Sequence, residues 1–215
     1  MIKAIIFDVD DTLLNFSKYA KKEIQEITRI LNLNPVRIQK VNKLWGITIE
    51  KIVERIWGKK YVRKFKKEFI RLQKNKRFPP NKYALHSIRE LKKYYKIGAL
   101  TSKPKALVRI HMKKAGFNLK YFSFINAAED SKYNKPDPRV FSKPIEKLKL
   151  EPKEILYIGD SIFDYIVAKK AGFKFIAVTT GYYTSKDFQK KGLKKQFILP
   201  SLKGVEKCLN AYFVK

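Results

Sequence analysis

The chain opens with a short apolar run at residues 2–8 that ends in acidic side chains. A run of this length, rich in Ile and Phe, predicts a buried β-strand. Three longer segments follow in which apolar residues recur at helical spacing, and they cover residues 17–33, 36–57 and 60–76. This spacing predicts three amphipathic helices with no strand between them. Two consecutive prolines at 79–80 end the helical stretch.

From residue 81 onward, predicted helices alternate with short apolar strands. The predicted helices cover residues 81–95, 104–115, 138–149 and 161–171, and the predicted strands cover residues 97–101, 121–126, 154–159 and 174–179. A last short strand near 196–199 and a terminal helix follow. This alternation indicates βαβ units, so we predict an α/β fold built on a parallel sheet.

The order of these elements also predicts the domain organisation. Residues 1–15 and 83–215 would form a discontinuous α/β core, and residues 16–82, called the helical insert below, would form an all-helical domain after the first strand. Hydrophobic residues make up 45% of the chain, which is enough for a globular fold. The single cysteine, Cys208, excludes an internal disulfide.

The sequence predicts neither export nor membrane insertion. The apolar run at residues 4–7 is too short for a signal peptide, and acids follow it at once. No apolar stretch approaches the ~20 residues that a membrane helix needs. We therefore expect a cytoplasmic protein.

The formal net charge of +30 gives information about possible binding partners rather than about the fold. Forty of the 49 cationic residues are Lys, which acts as a point charge, whereas Arg is preferred for bidentate recognition of bases and phosphates. This composition favours non-specific electrostatic binding of nucleic acid over specific recognition, and a compositional bias towards Lys is the alternative. The helical insert holds 20 Lys and Arg against five Asp and Glu, so it has about twice the charge density of the rest.

Polar residues follow several of the predicted strands at their carboxyl ends, which is where open parallel sheets bind ligands. A lysine in the loop before helix 138–149 joins the same edge. The residues concerned are Asp8, Asp10, Thr101, Ser102, Lys135, Asp160 and Asp164. Their convergence predicts a functional site at this edge, and carboxylates this close raise each other's pKa unless a positive charge lies among them.

Four short motifs carry a resemblance to a known family. They are "DVDDT" at 8–12, "LTS" at 100–102, "KPDP" at 135–138 and "GDSIFD" at 159–164. In their order and strand context they resemble the haloacid dehalogenase (HAD) superfamily, in its phosphatase branch with a small helical cap inserted after the first strand, as in phosphoglycolate phosphatases. The resemblance implies a Rossmann-like parallel sheet and makes the helical insert the cap.

The resemblance also implies a role for each carboxylate. Asp8 would attack phosphorus to give an aspartyl-phosphate, and Asp10 would act as general acid and then as general base. Mg²⁺ would be held by the carboxylates of Asp8 and Asp160 and by the main-chain carbonyl of Asp10. Asp164 and Thr12 would support the metal site from outside its ligand set.

The remaining motif residues would contact the phosphoryl group. Thr101 and the Ser102 amide would bind it, and Lys135 would balance its charge in the transition state. The resemblance thus implies a small phosphorylated substrate. No membrane partner is implied, and the sequence carries no signal for an oligomeric state.

Several of these residues also have purely structural explanations. Ser102 would cap helix 104–115, Thr12 would cap the turn after the first strand, and Ser161 with Asp164 has the spacing of a capping box. A capping role and a catalytic role are compatible. None of these explanations accounts for the paired carboxylates at the end of the first strand.

Other residues are expected to have structural roles. His86 and His111 lie on predicted helices without partners for a metal site, so structural or surface positions are expected. Trp45 and Trp57 are expected in the core of the helical insert, with the wall of a substrate pocket as the alternative. Residues 59–77 carry ten cations, which are expected to form a solvated face, and an anion-binding face is the alternative.

We therefore predict a Mg²⁺-dependent phosphatase that hydrolyses a small phosphate monoester. A sugar phosphomutase or a haloacid dehalogenase would share the fold, although a dehalogenase needs no acid for a halide leaving group and Asp10 argues against it. An alternative from another class is a basic nucleic-acid-binding protein on a degenerate phosphatase scaffold. The presence of all the catalytic carboxylates argues against that degeneration.

Overall fold

In the computed structural model, which describes residues 1–213, six parallel strands form one sheet. The strands are β1 Ala4–Phe7, β2 Lys96–Leu100, β3 Phe122–Asn126, β4 Ile155–Gly159, β5 Lys174–Val178 and β6 Ile198–Leu199. Their order across the sheet is β3-β2-β1-β4-β5-β6. The predicted parallel α/β architecture is therefore confirmed.

The central strands are buried on both faces, which explains their uninterrupted apolar sequences. Every residue of β1 and of β4 is buried, as expected for parallel strands with both faces covered. In register, Phe7 of β1 pairs with Ala99 of β2 on one side and with Ile158 of β4 on the other. The carboxyl ends of these three strands consequently meet at one edge of the sheet.

The α-helices of the described chain lie between and after these strands. They are α1 Ser17–Ile30, α2 Ile38–Asn42, α3 Ile49–Ile56, α4 Val62–Gln73, α5 Ala84–Leu91, α6 Lys105–Lys114, α7 Ser142–Leu148, α8 Ile162–Lys170, α9 Ser185–Lys190 and α10 Val205–Tyr212. Helices α1–α4 belong to the helical insert, between β1 and β2. Within residues 1–213, none of the helices combines the length and the apolar character that a bilayer crossing requires.

The two faces of the sheet have separate hydrophobic cores. Ile5 and Phe7 belong to one cluster of buried residues, and Ala4 and Ile6 belong to the other, as the alternation of side chains along a strand requires. The first cluster continues into the helical insert and includes Phe65 of α4. The helical insert is thus packed on the sheet through a shared apolar core.

The prediction of one helix over residues 36–57 is wrong, because non-helical residues 43–48 separate α2 from α3. Gly46 in this segment has a φ of +108°, a conformation that glycine tolerates and other residues rarely adopt. Its carbonyl oxygen accepts a hydrogen bond from Ser102 Oγ at 2.8 Å. A contact with the loop after β2 therefore holds the segment in a conformation that helical periodicity cannot reveal.

Candidate active site

The loop after β1 carries three aspartates with different surroundings. Asp8 is buried and Asp10 is partly exposed. Asp11 has a φ of +59°, and its Oδ1 accepts hydrogen bonds from the backbone N–H groups of Phe16 at 3.0 Å and Ser17 at 2.9 Å. Burial raises the pKa of Asp11 to about 6, against the lowering effect of these donors. Asp11 therefore stabilises the start of α1.

Three buried carboxylates form a compact cluster at the strand ends. One oxygen from each of Asp8, Asp160 and Asp164 lies within 4.8 Å of the other two. Burial, with a contribution from the neighbouring acids, raises the pKa of Asp8 to about 8 and that of Asp160 well above its usual range. A divalent cation would relieve this repulsion, and carboxylate oxygens are the ligands that Mg²⁺ prefers. The donor set therefore fits a magnesium ion.

Thr12 and Gly181 shape the surroundings of Asp160. Thr12 Oγ1 donates a hydrogen bond to Asp160 Oδ1 at 3.0 Å. A Cβ atom at position 181 would collide with Asp160 Oδ2, so glycine is required for the backbone to pass this close. The structure thus places Thr12 in contact with one of the candidate metal ligands.

Lys135 lies between two members of the carboxylate cluster. Its Nζ is 2.6 Å from Asp8 Oδ1 and 2.6 Å from Asp164 Oδ1, and its side chain is almost completely buried. Burial alone would lower the pKa of this ammonium, but the two carboxylates outweigh it and raise the pKa. Lys135 therefore remains charged and faces the candidate nucleophile.

Asp164 uses both of its carboxylate oxygens within the protein. Oδ1 accepts from Lys135 and from the Tyr157 hydroxyl at 3.0 Å, and Oδ2 accepts from the backbone N–H of Ser161 at 3.0 Å. Ser161 and Asp164 form the capping box of α8, as the sequence spacing predicted. The cap orients Asp164, and Asp164 in turn positions Lys135.

The residues after β2 face the same edge of the sheet. The Thr101 side-chain oxygen accepts a hydrogen bond from the backbone N–H of Lys103 at 3.1 Å. Ser102 does not cap α6, since the residue at the N-cap is Pro104 and no side-chain cap is present. Instead its Oγ donates to the helical insert at Gly46. Ser102 therefore links the phosphate-binding candidates to the helical insert.

Sequence reasoning missed Lys103. Its Nζ lies 2.7 Å from Asp10 Oδ1 and 3.7 Å from the centre of the Phe16 ring, and the residue is buried. Burial lowers the pKa of its ammonium, and Asp10 opposes that effect. The sequence did indicate Lys103 in one way, because this residue directly follows Thr101 and Ser102 at the end of a buried strand. In a chain with forty lysines, that single position did not stand out.

A cavity of about 500 Å³ opens at the strand ends. The sheet side supplies carboxylates, among them Asp8, Asp10 and Asp160, together with Thr101 and Ser102. The opposite wall comes from the helical insert and is mainly apolar; its residues include Trp45, Ile47, Ile49 and Phe69. The arrangement suits a small ligand with one charged end and a less polar end.

The two tryptophans and two histidines singled out in the sequence lie in different surroundings. Trp45 lines the cavity, whereas Trp57 stacks on Phe65 inside the helical insert, with ring centres 5.3 Å apart. His111 is buried, and His86 is exposed. Neither histidine lines the cavity, in agreement with the structural or surface roles predicted for them.

The sequence profile of the haloacid dehalogenase-like hydrolases matches residues 5–178. This match spans most of the chain, including β1, the helical insert and the strands that carry the site. The chain therefore belongs to the haloacid dehalogenase-like hydrolase family, and the resemblance inferred from the four motifs is confirmed.

Curated relatives of the chain include phosphatases and pyrophosphatases. A Clostridium perfringens protein assigned as pyrophosphatase PpaX is 29% identical over 200 residues, which cover 89% of each chain. The phosphoglycolate phosphatase of Aquifex aeolicus is 25% identical, with 84% of this chain and 86% of the relative covered. A solved structure from Bacteroides fragilis, assigned as a haloacid dehalogenase-like hydrolase, superposes with a TM-score of 0.85 at 24% identity and covers 95% of this chain and 100% of its own.

Proposed function

We propose that the protein is a Mg²⁺-dependent phosphatase that hydrolyses a small phosphate monoester through an aspartyl-phosphate on Asp8. One observation carries the proposal: a buried ammonium, Lys135, contacts Asp8, and Asp8 lines the cavity together with a second buried acid, Asp160, in a cluster that could hold a cation. A phosphoryl group needs positive charge around its oxygens and a nucleophile in line. This arrangement offers the positive charge and a candidate nucleophile beside it.

In the first step, an oxygen of Asp8 would attack phosphorus while the ester bond to the leaving oxygen breaks. Asp10 would donate a proton to that oxygen, which leaves with the electron pair of the broken bond. Asp8 and Asp160, with the main-chain carbonyl of Asp10, would hold Mg²⁺. When bound, the ion supplies positive charge to the phosphoryl oxygens.

In the second step, water would attack the aspartyl-phosphate. Asp10, now ionised, would take a proton from that water, and the bond between phosphorus and Asp8 would break to restore the carboxylate and release phosphate. Thr101 and Ser102 would bind the phosphoryl oxygens throughout, and Lys135 would balance their charge.

We further propose that the helical insert acts as a cap on a core formed by residues 1–15 and 83–215. Its apolar side chains close one side of the cavity, and Ser102 joins it to the loop after β2. A closed cap would exclude water during the first step. Walls from both the sheet side and the helical insert favour a small ester as substrate, in keeping with the phosphoglycolate phosphatase among the relatives.

A panel of small phosphate esters, including phosphoglycolate, sugar phosphates, nucleotides and pyrophosphate, tests the proposal. Phosphate release is measured with Mg²⁺ and with EDTA, and Asp8→Asn prepared in parallel controls for contaminating phosphatases. We expect Mg²⁺-dependent release from at least one ester by the wild-type protein alone. The absence of release from every ester, or release that is equal in the Asp8→Asn preparation, would refute it. Isomerisation of a sugar phosphate without phosphate release would instead indicate a mutase.

A further inference from the structure

We propose that Lys103 is a positioning residue for the general acid and base: its ammonium holds the carboxylate of Asp10 in the direction of the cavity. The inference rests on the proposed phosphatase function. Lys103 is a buried cation that takes no part in the two proposed chemical steps, and the inference gives it a role.

The contact between Lys103 and Asp10 lies at the wall of the cavity. Lys103 Nζ is 2.7 Å from Asp10 Oδ1, and both residues line the cavity. The Lys103 side chain is 1% exposed, whereas that of Asp10 is 24% exposed. The carboxylate is therefore open to a ligand on one side and held by a buried cation on the other.

Lys103 is itself rigidly placed. Its backbone N–H donates to Thr101 Oγ1 at 3.1 Å, and its carbonyl accepts from the backbone N–H of Ala128 at 3.0 Å. Phe16 and Phe78 flank the ammonium, with ring centres 3.7 Å and 5.5 Å from Nζ. Such contacts between a cation and ring faces are attractive.

Asp10 has few other restraints on its side chain. Within residues 1–213, the side-chain hydrogen bond that its carboxylate accepts comes from Lys103. A partly exposed Asp without this partner would sample several rotamers. Proton transfer requires the carboxyl group within hydrogen-bond reach of the leaving oxygen. Lys103 thus limits the rotamers of Asp10.

This role predicts a dependence on the leaving group. A poor leaving group needs the proton from Asp10, whereas a good one departs without it. Benzyl phosphate and para-nitrophenyl phosphate have similar rings but a poor and a good leaving group, respectively. Loss of Lys103 should therefore slow transfer of the phosphoryl group to Asp8 much more for the first ester than for the second, whereas hydrolysis of the phosphoryl-enzyme is the same step for both.

The test compares Lys103→Met with the wild-type protein on both esters. We expect kcat/KM for benzyl phosphate, which reports the steps up to departure of the leaving group, to fall by about 10²-fold, as for loss of a general acid, and kcat/KM for para-nitrophenyl phosphate to fall by less than about threefold. Lys103→Arg should recover part of the loss, because it restores a cation. In an Asp10→Asn background, Lys103→Met should cost benzyl phosphate turnover little more. Lys105→Met, which removes an exposed cation two residues away, is the matched control and should leave both rates unchanged.

Each other outcome has a defined meaning. An equal loss of kcat/KM on the two esters, or no loss on either, would overturn the role of Lys103 while leaving the proposed phosphatase function intact. The proposed function itself would be overturned if the wild-type protein, with Mg²⁺ present, hydrolysed neither of these two esters and none of the esters in the panel above. Circular dichroism and thermal melting check that Lys103→Met folds; if it does not, Lys103→Gln replaces it with the same expectations.

Discussion

Lys135 Nζ and Asp8 Oδ1 lie 2.6 Å apart, although the two residues are 127 positions apart in the chain. The contact is buried, and it is made at the edge of the sheet where β1 ends. Burial raises the pKa of Asp8, and Lys135 lowers it. The ammonium therefore opposes the effect of burial on the pKa of Asp8, the proposed nucleophile.

Asp8→Asn should abolish turnover while the fold is retained. The amide has nearly the shape of the carboxylate, but it cannot attack phosphorus. We expect kcat below about 1% of the wild-type value, with unchanged far-ultraviolet circular dichroism. Asp187→Asn, which alters a carboxylate at the start of α9, is the matched control and should retain full activity. A folded Asp8→Asn protein with substantial Mg²⁺-dependent activity would exclude the covalent route.

Lys135→Met should lower both activity and stability. It removes the cation that is proposed to face the transition-state oxygens, and we expect kcat/KM to fall by about 10²–10³-fold. It also leaves Asp8 and Asp164 together without their counter-charge, so Tm in EDTA should fall. Added Mg²⁺ should raise the Tm of the variant, since a bound cation would compensate the same carboxylates. An unchanged kcat/KM would assign Lys135 a structural role only.

The edge of the sheet that carries the site could be predicted because strand ends can be located in a sequence. Asp8 and Asp160 directly follow β1 and β4, whose apolar runs are uninterrupted, and parallel strands bring their carboxyl ends together. The motifs then gave the family. The order of the strands across the sheet was not predicted, because register depends on contacts between distant segments.

What escaped prediction depends on tertiary contacts or on very short elements. Gly46 lies in the non-helical segment that interrupts the predicted helix and its carbonyl oxygen accepts from Ser102, and Lys103 contacts Asp10. Neither contact can be recognised from the periodicity of apolar residues in the sequence. Helix α9 has six mostly polar residues, which form no apolar stripe. It is marked only by its capping box, between Thr184 and Asp187.

The buried imidazole of His111 should lower the free energy of unfolding in mild acid. The residue is fully buried, its Nε2 lies 2.9 Å from the Gln73 carbonyl oxygen, and burial lowers its pKa from 6.5 to about 3. The unfolded chain therefore binds a proton below pH 6.5 that the folded protein does not, so the free energy of unfolding falls as pH drops from about 6.5 towards 3. This single group should cost about 2 kcal/mol at pH 5, from ~1.4 kcal/mol per pH unit.

Urea unfolding between pH 7 and pH 4 measures this effect. His111→Gln should give a shallower fall of unfolding free energy with acidification than the wild-type protein. His86→Gln, which changes the exposed second histidine, should leave the slope unchanged. Equal slopes for the two variants would contradict the assignment.

The clustered positive charge beside the site should speed substrate capture. An open basin adjoins the cavity at Ile47, and its lining contains six cations and one acid, namely Lys51, Arg55, Lys132, Lys135, Arg139 and Lys170 with Asp137, which pairs with Arg139. We expect kcat/KM to fall with rising salt while kcat stays constant, since screening at ~0.15 M acts over about 8 Å. Arg55→Glu with Lys170→Glu should lower kcat/KM at low salt and weaken its salt dependence.

A matched pair of charge reversals separates the basin from the overall charge. Lys190→Glu with Lys207→Glu changes the net charge equally, at exposed positions on α9 and α10. We expect this pair to leave the salt dependence of kcat/KM nearly unchanged. If both pairs act equally, or if kcat/KM of the wild-type protein does not vary with salt, local steering by the basin is excluded, and the lysines reflect compositional bias.

The formation of a phosphoryl-enzyme on Asp8 is the most direct test of the proposed function. Asp10→Asn should accept a phosphoryl group from para-nitrophenyl phosphate, whose leaving group needs no acid, and should then hydrolyse the intermediate slowly because the general base is missing. After rapid mixing with Mg²⁺ and substrate, acid quenching and peptide mass spectrometry, we expect one phosphoryl group on the peptide that contains Asp8. Hydroxylamine, which cleaves acyl phosphates, should remove it. Release of para-nitrophenol without a phosphorylated peptide, or a phosphoryl group that resists hydroxylamine, would contradict the account.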